Sequence, residues 1–173
     1  MALSLYNMSV NSYLQIYGGV VACLEKGLAH FEANGVDPEE IVQTCLHPDM
    51  NSFNFQVQAI THHSIGALRA VKEGSYYPTP QVEPRSYGEL QKMILDAQET
   101  LRRTTPAEVD GREDGEVVFR FRDFAIPFSV ENFLLSFSLP NFYFHAATAY
   151  DILRMKGVPI GKIDYLAQMR IKA

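Results

Sequence analysis

Apolar residues fall into helical spacing over most of this chain. Tyr6, Tyr13, Tyr17, Val20 and Leu24 share one face, so the segment from Ser4 to Asn34 predicts a long amphipathic helix. Gly18 and Gly19 either weaken that helix or let a neighbour approach it closely. Asn34-Gly35 supplies a left-handed stop, and Asp37 with Pro38 predicts a short helix that ends before Pro48. Phe53, Val57, Ile60, Leu68 and Val71 predict a second long helix from Ser52 to Lys72. A proline-rich stretch, "EGSYYPTPQVEPRS", predicts a loop. Ser86 with Glu89 then reads as a capping box for a third helix, whose stripe of Leu90, Ile94, Ala97 and Leu101 runs to Thr104.

After the polar segment "TTPAEVDGREDGE" the period changes from helical to alternating. Val117, Phe119 and Phe121, then Phe124, Ile126 and Phe128, predict a two-stranded hairpin turned at Arg122-Asp123, with Pro127 confining its strand to an edge. A fourth long helix follows from Val130 to Lys156, interrupted by Pro140 and ended by Gly157. A short tail is expected to pack through Ile163, Tyr165 and Leu166. Four long amphipathic helices and one small hairpin imply an all-α fold, an antiparallel four-helix bundle in a single domain spanning residues 1–173.

Composition narrows the function classes. The chain has 173 residues, a formal net charge of −5 and no basic stripe, so a nucleic-acid partner is not expected. Cys23 and Cys45 lack CxxC spacing and make no disulfide framework, which fits a reducing, cytoplasmic setting. No basic segment precedes the N-terminal apolar residues and no apolar run reaches membrane-spanning length, so neither a secretion signal nor a membrane association is expected. Eight of the eleven phenylalanines lie between Phe119 and Phe144. A two-stranded ribbon covers only part of a bundle, so this apolar surface predicts a homodimer.

Candidate chemistry comes from polar residues on apolar helical faces, where bundles build their sites. Ser138, Asn141, His145 and Thr148 form a stripe on the fourth helix. Gln56 and His63 sit two turns apart on the second, with Ala59, Gly66 and Ala67 around His63. His62 points about 100° away and is expected to be exposed. His63 and His145 are therefore expected to face one cavity. They are candidates as metal ligands, as catalytic bases or as hydrogen-bonded core residues. Gln56, Asn141, Thr148 and Asp49 are candidates for binding a small-molecule substrate. Patterns of nucleophile elbow, P-loop or dinucleotide fold are absent.

The blocks "LHPDMNSFNFQVQAITHHSIGALRAV" and "LPNFYFHAATAYDILRMKGVPIGKIDYL" resemble a bacterial and fungal family grouped with the DinB/YfiT-like metalloenzymes. The shared motifs are Pro48-Asp49-Met50, Gln56-Val57-Gln58, His63, Leu139 to His145, Thr148 to Tyr150, Leu153-Arg154 and Gly161 to Asp164. The resemblance implies an up-down-down-up bundle, often dimeric. It also implies a divalent metal, zinc or nickel, held by one histidine of the second helix and a His-x-x-x-His pair of the fourth. His63 and His145 match the first two positions, but Ala149 stands at the third, and His62 replaces the usual aspartate. The resemblance thus implies a degenerate site in which metal is weakly bound or absent. The activity it implies is a metal- or thiol-dependent transferase or hydrolase. The alternative is a non-enzymatic homodimeric binding or stress-associated module.

Overall fold

Residues 4–79 and 82–172 are described by this computed structural model. Four long helices dominate it: α1 (Val10–Ala33), α2 (53–73), α3 (Tyr87–Arg103) and α4 (130–155). A one-turn helix, Leu5–Met8, leads into α1, and the Ser9 hydroxyl bonds back to the Leu5 carbonyl at the join. Helix α1 packs on α3 and α4, and α2 also packs on α3 and α4. Consecutive helices α1 and α2 thus stand diagonally across the bundle, as do α3 and α4. This neighbour order is why both connections are long. The core is built from fully buried Tyr13, Tyr17, Phe53, Tyr87, Leu90, Ile94, Phe133 and Phe142.

The predicted capping box holds. Ser86 accepts from the Glu89 amide while the Glu89 carboxylate accepts from the Ser86 amide. Asp37 accepts from the Glu39 amide as expected, but the helix it starts is a single turn, Glu39–Val42. Three further expectations are corrected. The proline-rich loop contains a strand, β1 (Ser75–Tyr76), that pairs in parallel with β2 (Glu116–Phe121), so the hairpin β2–β3 (Phe124–Ser129) belongs to a three-stranded sheet. Pro80 and Gln81 of that loop lie outside the described residues. The polar segment after α3 holds a short helix, Pro106–Asp110, begun by a second capping box of Thr105 and Glu108. In the tail, Ile163 is exposed rather than packed, whereas Tyr165 meets Tyr150 edge-on.

Two of the long helices are not regular. Helix α2 passes through a π turn at His62–Gly66, and α4 through another at Phe133–Ser138. The second explains how α4 survives Pro140. A proline removes one helical hydrogen bond and collides with the carbonyl four residues back. The wider π turn directly upstream lets the chain continue. The two π turns meet: the Ser138 hydroxyl, itself bonded to the buried Tyr13 hydroxyl at 2.6 Å, donates to the His63 carbonyl at 2.5 Å. Single π turns inside α-helices are frequent at functional sites.

Candidate functional site

The π turn of α2 and the middle of α4 bring His63 and His145 together. Their rings lie 5.3 Å apart, centroid to centroid, and within 18° of parallel. Both are nearly buried, 5% and 9% exposed. They are enclosed by Phe137, Phe55 and Phe144, and by Tyr76 from β1. The sheet closes one side of this box: Tyr76 and Phe119 stack on each other, and both pack on Phe137.

Hydrogen bonds fix each ring. Gln56 donates its amide to the Asn51 carbonyl at 3.0 Å, which aims its oxygen at His145 Nδ1, 2.7 Å away. A carboxamide oxygen only accepts, so His145 carries its proton on Nδ1 and presents a lone pair at Nε2. Among the described residues Nε2 has no hydrogen-bond partner. His63 is wired differently. Tyr76 Oη stands 3.0 Å from His63 Nδ1 and 3.4 Å from the His62 carbonyl, and the shorter contact is the better bond. Burial raises the Tyr76 phenol well above its usual range, so it stays protonated. His63 Nε2 faces Thr79 Oγ1 at 3.3 Å, so hydroxyls engage both of its nitrogens. The carboxamide fixes the tautomer of His145, whereas hydroxyls, which donate or accept, hold His63.

Neither ring is charged at neutral pH. Burial, followed by the fields of His145 and His62, brings the His63 pKa down to about 3. Burial and then His62 bring His145 down to about 4. His62 itself is half-buried rather than exposed, because β1 crosses above it. Its Nε2 donates to the Tyr77 carbonyl at 2.9 Å, and burial lowers its pKa as well.

Other predicted site residues fall away from the pair. Asp49 is exposed on the turn before α2 and bonds to His47. Asn141 and Thr148 spend their side chains on their own helix, donating to the Phe137 and Phe144 carbonyls at 2.7 and 2.8 Å. Ala149 is buried and shares a small apolar cavity with Val20, Cys23 and Tyr165 on the side of α1, so the third position provides no donor and little room for one. Tyr76, Thr79 and Phe137 were not legible as site residues. The first two stand in the proline-rich segment, which reads as a loop, and nothing in the spacing singles out Phe137.

A divalent metal does not fit this arrangement. A catalytic zinc takes about three protein ligands through deprotonated nitrogen, sulfur or oxygen. Of the two rings only His145 has a nitrogen without a hydrogen-bond partner among the described residues. His62, His63 and His145 stand in a row, but the described nitrogens turn to Tyr77, Tyr76, Thr79 and Gln56. Among the described residues no group of three histidine, cysteine or acidic side chains could hold an ion.

Comparison with known proteins follows the same lines. A family described as "Domain of unknown function (DUF1993)" matches residues 5–166. A crystal structure of a DinB family member protein from Shewanella denitrificans is similar over 98% of this chain and 95% of that one, with 25% identity and a TM-score of 0.79. No curated protein gives a significant match. No helix among the described residues is long and apolar enough to cross a membrane.

Proposed function

Because the chain belongs to the DUF1993 family, a DinB-like family of helical bundles, we propose that it carries the superfamily's histidine site in a form converted from metal coordination to direct ligand binding. In this reading His145 Nε2 accepts a hydrogen bond from a small protic molecule, a water, alcohol or thiol. His63 and Tyr76 form the neighbouring wall. The observation that supports it is the chain Asn51–Gln56–His145, which leaves the Nε2 lone pair of His145 without a partner among the described residues while hydroxyls engage both nitrogens of His63. With a pKa near 4, His145 is a weak proton acceptor, so it orients a ligand better than it deprotonates a thiol of ordinary pKa near 8.5.

The competing reading is a weak zinc or nickel enzyme. The carboxamide behind His145 favours it, since metal-bound histidines commonly donate their second nitrogen to such a group. Long-range proton–nitrogen spectra of the histidine side chains separate the two. We expect His145 protonated on Nδ1, and zinc or nickel affinity weaker than about 1 μM. Stoichiometric tighter binding, with one nitrogen of each neutral ring shifted by coordination to the ion and the other still protonated, would establish the enzyme reading instead.

A homodimer is part of the same proposal. The hairpin's apolar face is covered at its base, where Val117 is buried and Phe119 packs on Phe137, and becomes open toward its tip. Phe124 is 68% exposed there, beside Phe121 and Ile126. Charge at the tip tests the interface without touching the core. Phe124→Glu should give a folded monomer where the unmodified protein is a dimer by light scattering. An unmodified protein that is monomeric at roughly 100 μM, a concentration at which weak interfaces still form, would end this part of the proposal.

A further inference from the structure

We propose that the groove on the outer side of the α2 π turn binds a small organic anion with an apolar body, its charge held between Arg69 and Arg85. The groove encloses about 500 Å³, within the range of small-molecule sites. Ile65 and Met93 supply apolar surface, and Thr61 and His62 add polar groups. Among the described residues that line it there is no aspartate or glutamate.

Both guanidinium groups are under-partnered. Arg85 donates from Nε to Gln58 Oε1 at 3.3 Å and makes no ion pair among the described residues. Arg69 has only Glu73 at 4.0 Å, an exposed contact one turn along its own helix. Such a pair contributes little in water. The nearby acids have other hydrogen-bond partners: Glu89, whose carboxylate feels the Arg85 charge without pairing with it, accepts from the Ser86 amide at 2.7 Å and its hydroxyl at 3.0 Å, and Asp96 pairs with Lys92. In a chain of net charge −5, two such arginines on one acid-free groove are a local excess of positive charge. Guanidinium is the planar, five-donor group suited to carboxylate or phosphate oxygens. The apolar surface beside it selects for an anion that carries a ring or short alkyl chain over a bare inorganic ion. The groove shares His62 and Thr79 with the histidine network, Thr79 being the residue that His63 Nε2 faces.

Phenyl phosphate and benzoate are suitable probes, with benzyl alcohol as the neutral match. Calorimetry on the full chain should show one saturable site for at least one anion and none for the alcohol. Arg69→Gln and Arg85→Gln should each weaken that site about tenfold, while Arg102→Gln, in a different groove, leaves it unchanged. Both arginine side chains are exposed, so the variants retain the fold. Absence of saturation by both anions up to about 10 mM, or binding indifferent to both substitutions, would overturn the proposal.

Discussion

At pH 5 the protein should be roughly 2–4 kcal/mol less stable than at pH 7, through the histidine pair alone. The folded state holds His63 and His145 with pKa values of about 3 and 4, against 6.5 for the free side chain. Above pH 6.5 both states are neutral and the pair adds no pH dependence. As pH falls below 6.5 the unfolded chain takes up protons that the folded chain refuses, and stability is lost until the folded values are reached. The carboxylates held low by their partners, Glu89, Glu108 and Asp164, act only below their unfolded values of 4.5 for the glutamates and 3.8 for the aspartate, so between pH 7 and 5 they do not contribute. Urea unfolding at pH 7, 6 and 5 measures the effect. His63→Gln with His145→Gln should flatten the curve between pH 6.5 and 5. A wild-type curve already flat in that window would show that the pair is hydrated and free to protonate.

Gly19→Ala should cost about 2–4 kcal/mol, whereas Gly18→Ala should be neutral or stabilising. An added Cβ at Gly19 would fall inside the Tyr165 carbonyl oxygen and 2.7 Å from its carbon, both backbone atoms that cannot swing aside. The short helix Lys162–Leu166 is seated against α1 at that point, helped by Gln15 donating to the Leu166 carbonyl and by the Lys26–Asp164 ion pair. Displacing it would expose Tyr165 and the lower side of Tyr150. At Gly18 the new methyl would stand an ordinary 3.4 Å from the Ala167 methyl, and alanine favours the helix by about 1 kcal/mol. Thermal melts rank the two variants, and limited proteolysis reports where Gly19→Ala opens. Equal melting temperatures for both would show that the C-terminal segment does not dock there.

The glycine pair illustrates what one-dimensional pattern can resolve. Two adjacent glycines in α1 leave two readings open, a weakened helix or a close neighbour. Which glycine bears the contact depends on where a segment about 145 residues later lies, and no local signal carries that. The histidines behave alike. Helical phase set His63 and His145 on inward faces, and the bundle brought them to 5.3 Å. Phase also suggested Asn141 and Thr148, and Asp49 was a candidate from the turn before α2, yet these side chains bonded to their own helix or to a solvent-facing neighbour. Polar side chains on a helix can turn back to a carbonyl one turn earlier, and spacing does not reveal that choice.

By itself the sequence determined four helices, their caps, the hairpin and the two facing histidines, because period, capping residues and turn residues act within a few positions of one another. Tertiary structure alone decided the rest. It folded β1 out of a proline-rich stretch, since a two-residue strand has no pattern and exists only where β2 offers its edge. It placed π turns at His62–Gly66 and Phe133–Ser138, where two helices lock through Ser138 and the His63 carbonyl. It also set which nitrogen of His145 carries the proton, because a proton's position follows the acceptor the fold brings alongside, here the Gln56 carboxamide oxygen.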